Sequence, residues 1–428
     1  MTGPSAPGPA LTDEPEPSAR HAGAVGEGLP RTRLATLPTP LLPAPRLSQA
    51  VGVEVWIKRD DMTGLGLGGN KARKLEFLCG EALARGADTL VTGGGSGSNH
   101  VQLTAAAAAR LGLGCVAVCY GTDPAPAEPA TAGPGAGPSS GSAVPGASGR
   151  GAGRSSGSAT PALGLRLTRR FGADVIFTGS PDRTSVDARL EEVAAKLAAE
   201  GRVPYVIPRG GASAVGAVGY ALAAAELSDQ LAEAGLAAVT LVVATGSCGT
   251  QAGLVAGVGL IADARPAPAG AEPNTGTGPV PSVWAGIVPK KRHDSCPDPD
   301  PDPDQGRRGS GSSFEVVGVP VSRPPEECVE RIAGLATGCA ARLGSDRVFT
   351  EADVRLLGGY LGPGYGKASP EGDEAAVLAA RTEGLVLDPV FTAKAMAALV
   401  AEARAGRLTG PVVFLQTGGS PSALAALP

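Results

Sequence analysis

From residue 53 to the C-terminus, short β-branched runs alternate with Ala- and Leu-rich stretches of helical period, and this alternation limits the possible folds more than any other feature. A strand followed by a helix returns beside its predecessor in the same direction. Repetition of that unit builds an open, mostly parallel sheet with helices on both faces. Strands are predicted at 53–58, 89–92, 115–119, 174–177, 240–244, 315–319 and 412–415, and helices at 71–85, 100–111, 186–200, 216–234 and 392–405. The fold class is therefore α/β, with more than one open sheet.

Three stretches do not fit this rhythm. Residues 1–30, about 121–162 and about 264–313 hold a large share of the 64 glycines and 39 prolines, and the last contains the run PDPDPDPD. Their apolar content is too low to offset the entropy of ordering them, so they read as a disordered tail and two low-complexity insertions. Roughly 300 residues remain, enough for two lobes with a cleft between them.

A formal net charge of -4 with mixed signs gives no electropositive face for nucleic acid, and the sparse aromatics are not interleaved with Arg or Lys. No apolar run is long and pure enough to span a bilayer, and residues 1–30 lack a signal-peptide core, so a cytoplasmic protein is expected, with no nucleic-acid or membrane partner. The 7 cysteines read as buried thiols, and the 3 histidines, two of them in low-complexity surroundings, argue against a metal site.

Four constellations carry chemistry. In GGNKARK, a glycine turn delivers Lys71 onto the first turn of a helix that Asn70 is expected to cap. The positive end of the helix dipole and burial both disfavour a second positive charge, which makes Lys71 a better amine nucleophile toward an aldehyde. After the strand at 89–92 comes GGGSGSNH, ending in Ser98, Asn99 and His100, where free N–H groups and hydroxyls form an anion cradle at a strand-to-helix junction. A second junction of this kind, Thr245, Gly246, Ser247, Cys248, Gly249 and Thr250, follows the strand at 240–244. The late group comprises YLGPGYG with Tyr365, LDPVFTAKAM with Phe391 and Thr392, and LQTGGS with Thr417. Each has a bland alternative: a surface lysine, a tight structural turn, a core aromatic. Neither glycine-rich junction completes a dinucleotide fingerprint, which weakens a nicotinamide-dehydrogenase reading.

Taken in order, WIKRDDMTGLGLGGNKARKLEFL, GSGSNHVQLTAAAAARLGL, PRGGASAVGAVGY, VVATGSCGTQAGL, GPGYG and LDPVFTAKAM resemble the D-cysteine desulfhydrase and 1-aminocyclopropane-1-carboxylate deaminase family. These are pyridoxal 5′-phosphate enzymes of the tryptophan-synthase β fold. The resemblance implies two open, twisted, mostly parallel sheets, with the cofactor between a large domain (31–74 and 201–428) and a small mobile one (75–200), in a homodimer that acts on a small amino acid. It also implies that Lys71 holds the cofactor as a Schiff base, that Asn99 bonds its ring oxygen, and that the 245–250 junction binds its phosphate. Phe391 then stacks on the ring, Thr417 faces its nitrogen, Ser98, Asn99 and His100 grip the substrate carboxylate, and Tyr365 is an active-site tyrosine.

Within that family the deaminase branch has Tyr-Glu where this chain has Phe391-Thr392. Neutral Thr392 and Thr417 near the ring nitrogen suit loss of a good leaving group better than opening of a cyclopropane. The expected reaction is β-elimination by Lys71, with Tyr365 or Ser98 handling the proton near the leaving group, and conversion of D-cysteine to pyruvate, ammonia and sulfide. Cysteate and 1-aminocyclopropane-1-carboxylate are alternative substrates, and a relative that binds without turnover is an alternative of another class. Two departures stand out: Phe391 replaces a tyrosine common among relatives, and Gln416 replaces a histidine.

Overall fold

The run Val239–Thr245 uses both of its faces. Leu241 and Val243 belong to one hydrophobic core, while Val242 and Ala244 belong to another on the opposite side. A strand buried on both faces lies inside a sheet covered by helices on either side, which is why its sequence is continuously apolar instead of alternating. The run Val412–Leu415 behaves likewise, with Val413 and Leu415 on the first side and Val412 and Phe414 on the second.

The computed structural model describes residues 28–124, 162–264 and 314–425. The three stretches expected to be unstructured lie almost entirely outside the described residues. The strands are β1 (Leu41–Pro43), β2 (Val55–Lys58), β3 (Thr89–Gly94), β4 (Gly114–Cys119), β5 (Asp174–Phe177), β6 (Pro204–Ile207), β7 (Val239–Thr245), β8 (Phe314–Pro320), β9 (Arg355–Leu356) and β10 (Val412–Leu415). The helices are α1 (Pro45–Val51), α2 (Lys71–Ala84), α3 (Asn99–Leu111), α4 (Leu163–Arg170), α5 (Ser185–Ala199), α6 (Ala214–Glu233), α7 (Gly249–Asp263), α8 (Pro325–Arg342), α9 (Pro370–Glu383), α10 (Thr392–Arg404) and α11 (Ser420–Ala425).

One sheet has six strands in the order β1-β2-β10-β7-β8-β9, parallel except where β1 meets β2. The other has four parallel strands in the order β5-β4-β3-β6. The expectation of two mostly parallel sheets in an α/β fold is met. Helices α6, α7 and α8 cover one face of the six-stranded sheet, and α1, α9 and α10 the other. Helices α2 and α3 cover one face of the four-stranded sheet, and α5 the other.

A domain boundary at residue 200 cuts this second sheet. Strand β6 pairs in parallel with β3 from Thr89↔Pro204 to Thr92↔Ile207, so the segment just past 200 belongs with the four-stranded sheet.

Helix α2 begins with Lys71 and is clamped from beneath by a buried ionic network. The Arg73 guanidinium donates to both carboxylate oxygens of Asp60 at 2.9 Å and to both of Glu226 at 2.8 Å. Lys58, at the end of β2, also donates to Glu226, to the Thr39 carbonyl at 2.7 Å and to Gln230 at 2.6 Å. Tyr220 of α6 donates its hydroxyl proton to Asp60 at 2.5 Å. Two cations and two anions cancel, and each has partners. Burial alone would raise the Asp60 carboxyl, yet Arg73 and Lys58 hold it below its ordinary value. Close approach of α2 to α6 requires Gly219, where a Cβ would lie 2.2 Å from the Arg73 carbonyl oxygen.

Arg73→Met takes the guanidinium from buried Asp60 and leaves Glu226 with Lys58 alone, so a loss of roughly 3–5 kcal/mol in unfolding free energy is expected from urea titration. Tyr220→Phe removes one hydrogen bond to a charged group and is expected to cost about 1.5–3 kcal/mol. A loss below about 1 kcal/mol for Arg73→Met, the magnitude of a surface ion pair, would mean that the network does not clamp the helix.

Candidate active site

Strands β3 and β7 belong to different sheets, but each ends in a glycine-rich junction that opens a helix, and both junctions line one cavity of about 390 Å³. Helix N-termini carry N–H groups without intrahelical partners and the positive end of the helix dipole, and the starts of both α3 and α7 line this cavity. Lys71 lies on its wall, delivered by α2. The preceding turn needs Gly68, with φ of +75° and no room for a Cβ, which would meet the Asp61 carbonyl oxygen at 1.9 Å.

The Lys71 Nζ donates to Asn70 Oδ1 at 2.9 Å. Burial lowers its pKa to about 8, against the opposing pull of the Asp388 carboxylate. Asn70 does not cap α2, contrary to expectation, because its backbone is already helical there and its side chain is used elsewhere. Its Nδ2 donates to Thr250 Oγ1 at 3.0 Å, which ties the lysine to the start of α7.

The structure brings together on this cavity Lys71, Ser98, Asn99, His100, Thr245, Gly246, Ser247, Cys248, Thr250, Tyr365, Phe391 and Thr417. Gly249 and Thr392 do not line it. A Cβ at Gly249 would approach Lys74 Nζ at 2.9 Å, so the glycine leaves space beneath the α7 N-terminus for this amine, whose pKa burial and Lys71 push well down. Thr392 is buried behind Asp388, to whose Oδ2 its hydroxyl donates at 2.8 Å. Gln416, one of the two departures, is also behind the wall, with Nε2 donating to the Val386 carbonyl at 2.8 Å.

The predicted residues have distinct local settings. Ser98 is the N-cap of α3, its hydroxyl accepting from the Val101 N–H. Asn99 has a buried amide oxygen with no partner among the described residues. His100 shares a 2.9 Å hydrogen bond through Nε2 with Thr92, and burial together with Lys71 and Lys74 pushes its pKa well down. The imidazole is therefore neutral, and a carboxylate would be gripped by the amides that begin α3 and not by a cationic ring. Phe391 packs edge-on to Tyr365 with centroids 6.1 Å apart and planes at 68°. Burial and the neighbouring Tyr120 push the Tyr365 phenol up to about 12, which keeps it protonated at neutral pH.

Sequence reasoning missed Lys74, Tyr120, Arg183 and Asp388. Lys74 lies one helical turn from Lys71, a spacing that places both on one face of α2, so this signal was available. Asp388 stands in the quoted LDPV motif. Its carboxylate accepts from the backbone N–H groups of Val390, Phe391 and Thr392, while burial raises its pKa. Tyr120 and Arg183 lie outside every quoted motif.

A family model for pyridoxal-phosphate dependent enzymes matches residues 32–418. The chain belongs to that family. It is 37% identical over 402 residues to D-cysteine desulfhydrase of Salmonella choleraesuis strain SC-B67, covering 93% of this chain and 97% of that protein. It is 36% identical, with the same coverage, to D-cysteine desulfhydrase of Salmonella paratyphi C strain RKS4594. Among solved structures it is similar to an ACC deaminase homologue, with a TM-score of 0.69, 29% identity and coverage of 95% of this chain and 99% of that one. A fungal L-serine ammonia-lyase from Rhizomucor miehei shares the fold, with a TM-score of 0.53 at 17% identity and coverage of 92% and 97%. The family resemblance carried by the sequence motifs is borne out, and this enzyme depends on pyridoxal phosphate.

The residues present fit that cofactor. An amine with a lowered pKa suits its aldehyde, a helix N-terminus over buried Lys74 suits its phosphate, and Asn99 on the cavity wall has a buried Oδ1 open as an acceptor. Among the described residues no helix is long and apolar enough to cross a membrane.

The pH dependence of acylation of Lys71, followed by peptide mass spectrometry on the cofactor-free enzyme, is expected to have a midpoint near 8. Asp388→Asn removes a charge that favours the ammonium, so the midpoint should move lower. A midpoint near the ordinary lysine value would contradict the burial of this amine.

Proposed function

We propose that the enzyme degrades a small amino acid by β-elimination, with D-cysteine as substrate and pyruvate, ammonia and sulfide as products, and that Lys71 carries the cofactor. The observation that carries this reading is the buried Lys71 amine, with its lowered pKa, between two helix N-termini on one cavity. The 37% identity to D-cysteine desulfhydrase, over 97% of its length, supports the substrate. The neutral Thr417 on the cavity wall favours elimination over cyclopropane opening.

When bound, pyridoxal phosphate supplies an electron sink that makes the Cα proton of an attached amino acid removable. The protein's part is to bind, orient and move protons. The amides and hydroxyls of the 245–250 junction would hold the phosphate, with the buried Lys74 amine beneath them as a further N–H donor. Asn99 would hydrogen-bond the ring oxygen, Phe391 would pack on the ring and Thr417 would offer its nitrogen a neutral hydroxyl. The amides at Ser98, Asn99 and His100 hold the substrate carboxylate. The Lys71 amine would be the base at Cα, and Tyr365, still protonated at neutral pH, would be a proton donor near the leaving group. The four-stranded sheet forms the smaller, mobile domain that carries the carboxylate site against the larger one.

A panel of D-cysteine, L-cysteine, cysteate, D-serine, 3-chloro-D-alanine and 1-aminocyclopropane-1-carboxylate, assayed for keto acid and sulfide, tests the substrate. Sulfide and pyruvate in equal amounts from D-cysteine are expected, with turnover abolished in Lys71→Ala. Keto acid from the cyclopropane substrate and none from D-cysteine would overturn the reading.

A further inference from the structure

Building on the elimination reading, we propose that Arg183, Tyr120 and Tyr365 form a subsite for the departing sulfur, so that the enzyme selects amino acids whose β-substituent leaves as a sulfur anion. Four arginines line the cavity, at 183, 209, 323 and 331. Arg209 is neutralised by two hydrogen bonds to Asp187, at 2.7 and 2.6 Å. Arg331 donates to the Ser247 carbonyl, and both Arg323 and Arg331 act on the Cys248 thiol, which places them at the 245–250 junction.

Arg183 differs. It donates to the Ser322 carbonyl at 2.7 Å, its guanidinium lies 5.7 Å from the Tyr365 ring centroid, and it has no carboxylate within 4.0 Å among the described residues. Its guanidinium lines the cavity without an ion-pair partner among the described residues, although Asp182 is near enough for Arg183 to help hold that carboxyl below its ordinary value. Tyr120 borders the other side of the same region: a Cβ on Gly95 would lie 2.8 Å from its hydroxyl. Gly95 belongs to the junction assigned to the substrate carboxylate. The carboxylate and the β-carbon hang from one atom, so a substrate held there and at Lys71 presents its β-substituent to Tyr120, Tyr365 and Arg183. Burial raises both phenols above their ordinary range, so both remain O–H donors.

The electron count is simple. Lys71 takes the Cα proton, the Cα–H pair becomes the Cα–Cβ double bond, and the Cβ–S pair leaves on sulfur as hydrosulfide. Water then converts the three-carbon fragment to pyruvate and ammonia. The charge that appears on sulfur lies against a guanidinium and two hydroxyl donors, an arrangement that stabilises developing anions. Chloride, the conjugate base of a strong acid, leaves with much less assistance.

The test compares D-cysteine with 3-chloro-D-alanine in holoenzyme carrying Arg183→Gln, Arg183→Lys or Tyr120→Phe. In Arg183→Gln, kcat/KM for D-cysteine is expected to fall about 100-fold, at least tenfold more than for the chloro substrate, with partial recovery in the lysine variant. By calorimetry, wild-type enzyme should bind 3-mercaptopropionate, which has the carboxylate and sulfur but no amine, about tenfold more tightly than butyrate, and Arg183→Gln should lose that preference. Equal losses on both substrates, with no calorimetric preference, would overturn the subsite alone and leave Arg183 as a strut to Ser322. If Arg183→Gln fails to fold, Tyr120→Phe carries the same comparison at a smaller ratio, and an unchanged ratio there overturns the subsite. Wild-type enzyme inactive on both substrates would overturn the elimination reading and the subsite with it.

Discussion

The grip of Arg73 on Asp60 and Glu226 fixes the helix on which the chemistry depends. Two residues before Arg73, the same helix presents Lys71 to the cavity, so the position of the amine is set by an ionic cluster joining the end of β2, the turn at Asp60 and helix α6. Such a cluster is a weak source of net stability, because desolvation of four charges opposes their attraction. Its value is geometric. The bidentate Arg73–Asp60 contact and the Arg73–Glu226 contact each have a narrow range of acceptable geometries, and together they define the rotation and height of α2.

The same burial that makes this cluster costly to break makes the neighbouring lysines reactive. Lys71 and Lys74 lie one turn apart, both out of water, and each lowers its affinity for a proton through desolvation. Their surroundings then separate them. Lys71 has Asn70 and the Asp388 carboxylate nearby and faces the cavity, whereas Lys74 lies under the α7 N-terminus beside the Gly210 carbonyl. One faces the cavity as a nucleophile and the other lies under the α7 N-terminus as a buried amine donor, although sequence alone presents them as two lysines in a row of four residues.

Much of the architecture was legible because long parallel strands buried on both faces leave an unmistakable apolar run. All seven predicted strands occur, within about two residues at each end, and so do the five predicted helices. The missed strands β1, β6 and β9 are short, contain or border proline, or lie at sheet edges, where pairing and not local pattern decides. In the site, the residues at strand-to-helix junctions were readable because glycine and short hydroxyl side chains there have few other uses. Thr392 was misplaced: in the sequence it is indistinguishable from a ring contact, yet its hydroxyl is used by Asp388. Arg183 and Tyr120 had no local signal at all: they follow β5 and β4, neighbouring strands of the four-stranded sheet, and only the pairing of those strands brings them to one cavity wall.

Borohydride reduction of the enzyme loaded with pyridoxal phosphate, followed by peptide mapping, tests the central claim most directly. Reduction should bleach the cofactor's absorbance and leave a pyridoxyl mass on the peptide containing Lys71 and on no other, with no label in Lys71→Ala. Label on Lys74, Lys394 or another lysine in the wild-type enzyme, or none at all, would contradict it.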